Sequence, residues 1–163
     1  MHNSGITEGG VRITSASTEE DLAHVRALFQ EYWDSFGFTP CFQNFGRELA
    51  NLPGKYAPPR GRLALGWVTG VPVGCVALRP IDGLRCEAKR LYVKPEARGC
   101  GVGAALLAWV MAEARAAGYR ELLGDTMPVM QQALAMYGRL GFERTGPYAE
   151  GATEGAIYLR LKL

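Results

Sequence analysis

Histidine is nearly absent from this chain, with two in 163 residues, and its four cysteines (Cys41, Cys75, Cys86, Cys100) include no C-x-x-C pair. Neither residue type has the spacing of a zinc site, so no metal centre is expected. Excess charge of one sign is also lacking. The formal net charge is +2 with no basic run, which argues against nucleic acid or an anionic membrane surface as a partner. No apolar run is long enough to span a bilayer. The opening "MHNSGITEGG" is polar and lacks the apolar centre of a secretory signal. Cysteines scattered among apolar and small residues read as reduced thiols, and the expectation is a cytoplasmic protein.

What is present is an ordinary globular composition, 48% hydrophobic and 21% charged. This length suits one domain over residues 11–163, behind a loose tail over 1–10. "VRIT" (Val11 to Thr14) reads as a short strand. Ser17 and Glu20 stand at capping-box spacing, and Leu22, Val25, Phe29, Tyr32, Trp33 and Phe36 recur at helical steps, which predicts a helix over Glu19 to Phe36. A short helix is expected over Asn44 to Asn51. "RLALGWV", "VPVGCVAL" and "RCEAKRLYV" alternate like strands, with turns at Thr69-Gly70 and Asp82-Gly83, so an antiparallel meander is expected from Arg62 to Val93.

Pro95 stops that meander. "EARGCGVGAALLAWV" (Glu96 to Val110) then places glycines at 99, 101 and 103 before a helix whose apolar face is Val102, Leu106, Val110 and Ala114. "RELLGDT" follows as a strand delivered by a crossover, parallel to its predecessor. Met130, Ala133, Leu134, Tyr137 and Leu140 mark a second helix, with Gly141 at its left-handed end and Phe142 folding back. "GAIYLRLKL" is a final strand. The fold class is α/β (α+β): a mixed, mostly antiparallel sheet with helices on both faces.

A strand, a glycine turn and a helix start form an anion site, because the first-turn N–H groups are unpaired and carry the positive end of the dipole. A P-loop would need G-K-[ST], but Gly103 is followed by Ala104 and Ala105. A dinucleotide site finds Gly101-x-Gly103 and Asp125 at the end of the next strand. Its third glycine is Leu106, however, and the preceding strand holds Glu87, Lys89 and Arg90. The third class is the pyrophosphate of coenzyme A.

"LYVKPEARGCGVGAALL" resembles the acyl-CoA motif of the GCN5-related N-acetyltransferase (GNAT) superfamily, and "MYGRLGF" (Met136 to Phe142) resembles its second motif at the expected distance. The resemblance covers about residues 11 to 163. It implies an acetyl-CoA-dependent N-acetyltransferase acting on a primary amine of a small acceptor, within a sheet whose central parallel strands splay apart. The implied cofactor contacts are Leu91, Tyr92, Val93, Arg98, Gly99, Cys100, Gly101, Val102, Gly103 and Ala104, with the Leu91 N–H as oxyanion donor. Tyr137 matches the family's proton donor to the departing thiolate. Glu87 matches the position of a base found in some members, and strand alternation would place it on one face with Lys89, Leu91 and Val93. Met130 departs from an asparagine common in the family. The acceptor site implied involves Trp33, Tyr56 and Tyr148, with Phe36, Phe42, Glu150 and Glu154 nearby; for Trp33 and Phe36 a core role competes. Members pair through varied surfaces, which is compatible with a homodimer. Two alternatives stay open: a non-catalytic acyl-CoA sensor and an NAD-binding domain.

Overall fold

The structure is a computed structural model that describes residues 5–7, 10–35, 42–126, 130–148 and 155–163. Phe36, Cys41, Glu150 and Glu154, and the side chain of Phe42, lie outside the described parts. The strands are β1 (Gly5–Thr7), β2 (Val11–Ser15), β3 (Arg62–Val68), β4 (Val71–Pro80), β5 (Arg85–Val93), β6 (Glu121–Thr126), β7 (Glu143–Thr145) and β8 (Ile157–Lys162). The helices are α1 (Glu19–Asp34), α2 (Phe42–Ala50), α3 (Val102–Ala116) and α4 (Gln131–Arg139). The sheet order is β1-β2-β3-β4-β5-β6-β8-β7, and β5 with β6 is the parallel pair. A doubly wound parallel sheet, which the NAD alternative requires, is therefore absent from the described residues.

Two apolar layers cover the sheet. On one face Leu106, Leu107 and Val110 of α3 are fully buried against Val76, Leu78, Cys86 and Leu122. On the other, Val25, Leu28 and Phe29 of α1 pack on Leu63, Leu65, Cys75 and Ala77. Each large side chain so buried contributes roughly 1.5–3 kcal/mol. Thr69 and Gly70 join β3 to β4 with φ of 50° and 78°, the turn that matches strand twist. Cys75, Cys86 and Cys100 are free thiols.

Three local expectations shift. The helix cap is Thr18, one residue later than Ser17. Its hydroxyl accepts the Asp21 N–H at 3.1 Å, and the Asp21 carboxylate accepts the N–H groups of both Ser17 and Thr18. Gly5–Thr7, expected within a loose tail, pairs antiparallel with Val11–Ser15. A short strand at Glu143–Thr145 was not visible as a periodic run; it forms by pairing with β8.

The most consequential departure from strand alternation is in β5. Cys75 pairs with Tyr92 but Ala77 pairs with Lys89, so Val76 faces two residues, Arg90 and Leu91. This is a β-bulge, with Arg90 at φ 60°. It corrects the expected single face: Glu87 and Lys89 point toward α1 and α2, while Leu91 and Val93 pack on the α3 side. The extra residue reverses the alternation.

The bulge is tied to α2. Arg90 Nε and Nη2 donate to the two Glu48 carboxylate oxygens at 2.9 and 3.2 Å, and the Tyr56 hydroxyl donates to Glu48 at 2.8 Å. The Cys75 thiol donates to the Arg90 carbonyl at 3.4 Å. Burial raises the Glu48 carboxyl, but the bonds from Arg90 outweigh it, and the carboxyl sits below its ordinary value. A carboxylate held low stabilises the fold above its unfolded pKa and loses that contribution as pH falls through the folded one. Glu48→Ala is expected to cost about 3 kcal/mol in urea unfolding at neutral pH, because Arg90 is left buried and unpaired. The variant should also lose less further stability than the parent below the ordinary glutamate value of 4.5.

Candidate active site

Strands β5 and β6 are hydrogen-bonded only through Arg85↔Glu121, Cys86↔Leu122 and Glu87↔Leu123. Beyond Glu87 they part, although β5 runs on to Val93 and β6 to Thr126. The edge of β5 from Lys89 to Val93 thus faces a cleft rather than a neighbouring strand. Unpaired backbone groups at such an edge are a template for an extended ligand.

At the outer end of the cleft is the glycine turn. Gly99 and Gly101 both have φ of 85°, a region in which L side chains are strained, and a Cβ at Gly101 would meet no atom within 4 Å. Gly101 caps α3 with no side-chain hydrogen bond, so the first-turn N–H groups of Val102, Gly103 and Ala104 have no partner among the described residues. Arg98 lies alongside, exposed. Its Nε donates to the Val93 carbonyl at 3.1 Å, and its terminal nitrogens have no partner among the described residues. Cys100 is exposed in the same turn.

At the inner end stands Tyr137 of α4. Only 4% of the residue is exposed, and its ring meets Phe142 edge-on at 5.0 Å. The Phe142 N–H folds back onto the Tyr137 carbonyl at 3.1 Å, locking the helix end. Tyr137 Oη reaches β6 at Gly124, where an added Cβ would come within 3.9 Å of it. Burial pushes the phenol well above its ordinary value, so it holds its proton.

Glu87 sits at the point where the strands part, 2% exposed. Arg79 Nε donates to Oε1 at 2.6 Å, Lys89 Nζ lies 3.7 Å from the same oxygen, and the Tyr148 hydroxyl donates to Oε2 at 2.5 Å. Tyr148 therefore stands beside Glu87, where the strands part. Trp33 and Tyr56 do not. Trp33 stacks on Phe45 at 4.3 Å, and Tyr56 is fully buried with its hydroxyl on Glu48, so both belong to the core under α1 and α2. Met130 occupies the residue before α4 and accepts the Thr126 hydroxyl at its sulfur, 3.4 Å away. The sequence reading missed Arg79 as the partner of Glu87. A signal existed: these residues lie symmetrically about the turn at Gly83.

A sheet opened by one splayed parallel pair, with a bulge beside the opening and a glycine turn capping the crossover helix, is the architecture that the sequence resemblance implies. The family model for the acetyltransferase (GNAT) family matches residues 24–142, and the chain belongs to that family. An uncharacterized N-acetyltransferase of Schizosaccharomyces pombe is 36% identical over 155 residues, covering 94% of this chain and 95% of the relative. Among solved structures, an acetyltransferase from Streptococcus agalactiae superposes with a TM-score of 0.79 at 18% identity, covering 94% of this chain and 99% of that one. A GNAT family acetyltransferase from Elizabethkingia anophelis, solved with acetyl-CoA bound, gives 0.63 at 21% identity, with 94% and 99% covered. At those identities the two structures speak for the fold.

Proposed function

We propose that this chain transfers the acetyl group of acetyl-CoA to a primary amine of a small acceptor inside the β5–β6 cleft. The observation that carries this reading is the loss of pairing after Glu87↔Leu123, with free helix N–H groups at one end of the cleft and the Tyr137 hydroxyl at the other. When bound, acetyl-CoA supplies an activated thioester carbonyl.

Arg98 and the backbone from Gly99 to Ala104 would hold the pyrophosphate, since free N–H groups and a guanidinium suit an anion in apposition to a helix start. The β5 edge at Leu91, Tyr92 and Val93 would hold the pantetheine arm as an added strand. The bulge turns the backbone at Leu91, whose N–H would stabilise charge on the carbonyl oxygen. Tyr137 would give its proton to the departing sulfur. Because burial raises the phenol, that proton stays in place across the neutral range.

Both Glu87 oxygens accept bonds, so in this reading Glu87 anchors Tyr148 and Arg79 at the head of the cleft. The Tyr148 ring, edge-on to Tyr158 at 5.5 Å, forms an aromatic wall for a cationic amine.

The test is thiol release from acetyl-CoA over a panel of small amines, with mass detection of the acetylated product. Amine-dependent release is expected. Acetyl-CoA binding with no release over the whole panel would favour the non-catalytic sensor.

A further inference from the structure

Asp125 stands where the cleft begins to open. Lys89 and Asp125 each lie two residues beyond the last paired positions, Glu87 and Leu123. Strand alternation keeps them on the same face as those residues, so they stand on opposite walls of the cleft. They form no ion pair, and no other described residue donates a hydrogen bond to the Asp125 carboxylate. Its register partner on β8 is Tyr158, whose hydroxyl is buried and has no hydrogen-bond partner among the described residues. Two polar groups side by side in the cleft thus lack a side-chain partner among the described residues, in contrast to the filled carboxylate of Glu87.

The acid and Asp125 approach one strand from its two faces. Tyr137 Oη touches β6 at Gly124, from the α4 side, and Asp125 is the next residue, pointing the other way. That arrangement offers two separate proton sites around a bound carbonyl, a carboxylate for the amine and a phenol for the sulfur. The titratable and charged groups that act on Asp125 electrostatically are Glu87, Lys89 and Arg90 from β5, Tyr158 from β8, Tyr148 from the loop before it, Tyr137 from α4 and Tyr32 from α1. Both nearby cations have other partners: Arg90 is held by Glu48 and Lys89 lies by Glu87.

We propose that Asp125 receives the ammonium group of the acceptor and takes its proton, which makes the substrate class a cationic alkylamine. The proposal rests on the transferase reading above. In the step, R–NH3+ gives one proton to the Asp125 carboxylate. The freed nitrogen lone pair forms the C–N bond as the C–S bond breaks, with the electron pair going to sulfur. The sulfur takes the Tyr137 proton, the second N–H proton restores Tyr137, and Asp125 releases its proton to water. The sum is thioester plus ammonium giving amide, thiol and H+. Burial raises the Asp125 carboxyl, Lys89 opposes that rise and Glu87 adds to it; the net upward direction suits a base.

The experiment uses the full chain labelled with 13C at aspartate carboxyls, titrated with ethylammonium chloride and, as a neutral control, propan-1-ol. One resonance, missing in Asp125→Asn, should titrate above the ordinary aspartate value and shift saturably with ethylammonium only. Thiol release driven by concentrated ethylamine should fall about 100-fold in Asp125→Asn. Its acid limb should disappear there and persist in Glu87→Gln. A resonance that ethylammonium leaves unmoved overturns the proposal. So does an acid limb that survives in Asp125→Asn and vanishes in Glu87→Gln. Should Asp125→Asn fail to fold, the titration of the unaltered chain, assigned by sequential labelling, still decides. If ethylammonium finds Asp125 but calorimetry detects no acetyl-CoA binding, the transferase reading fails and the cation site stands.

Discussion

Tyr137→Phe is expected to slow acetyl transfer by about 100-fold or more, the scale of a positioned proton donor, without weakening acetyl-CoA binding. The geometry separates the two effects. The ring packs edge-on against Phe142, and phenylalanine keeps that contact; what is lost is the hydroxyl that reaches Gly124 at the inner end of the cleft. The glycine turn proposed for the pyrophosphate lies at the other end, at the start of α3. The pH dependence has a definite sign. A proton donor must be protonated, and burial moves the phenol upward from 10.0, so the alkaline limb due to Tyr137 lies above the ordinary tyrosine value. A kcat equal to that of the parent would mean that another group protonates the sulfur.

Gly101→Val is expected to weaken acetyl-CoA binding by at least about tenfold while the chain still folds. The residue sits at φ 85°, ψ 9°. A side chain in the left-handed region costs roughly 1–2 kcal/mol, and 1.4 kcal/mol is a tenfold change in affinity if the cradle relaxes to escape it. An added Cβ there would meet nothing within 4 Å, so no clash with the core is introduced. Any loss of affinity therefore comes from the turn itself, which holds the proposed anion site at the start of α3. Calorimetric titration with acetyl-CoA and urea unfolding, run on the same preparation, read the two effects separately. Unchanged affinity would place the pyrophosphate elsewhere.

Much of this was legible because it is local. The glycine turn, the apolar stripe of α3, the hairpin at Thr69-Gly70 and the Gly141–Phe142 helix end are each specified by residues a few positions apart, and the structure forms each of them. The features that were not legible depend on distant partners. The bulge at Arg90 and Leu91 leaves no mark in the alternation of β5; it exists because Glu48 on α2 and the Cys75 thiol hold Arg90 at positive φ. That one extra residue carried Leu91 and Val93 away from the face of Glu87. Tyr56, which the resemblance implies for the acceptor site, is instead drawn inward by the same Glu48, a partner eight residues away that no local pattern marks. Asp125 reads in the sequence only as the acidic end of the strand that a dinucleotide site would need. The structure pairs that strand antiparallel with β8 and sets Asp125 beside Tyr158, a neighbour that no local pattern specifies.

The most direct test of the central claim is a calorimetric titration of the unaltered chain with acetyl-CoA, with NAD in a parallel cell. Saturable one-to-one binding of acetyl-CoA and no heat from NAD is the predicted result. No binding of acetyl-CoA, or saturable binding of NAD instead, would contradict it.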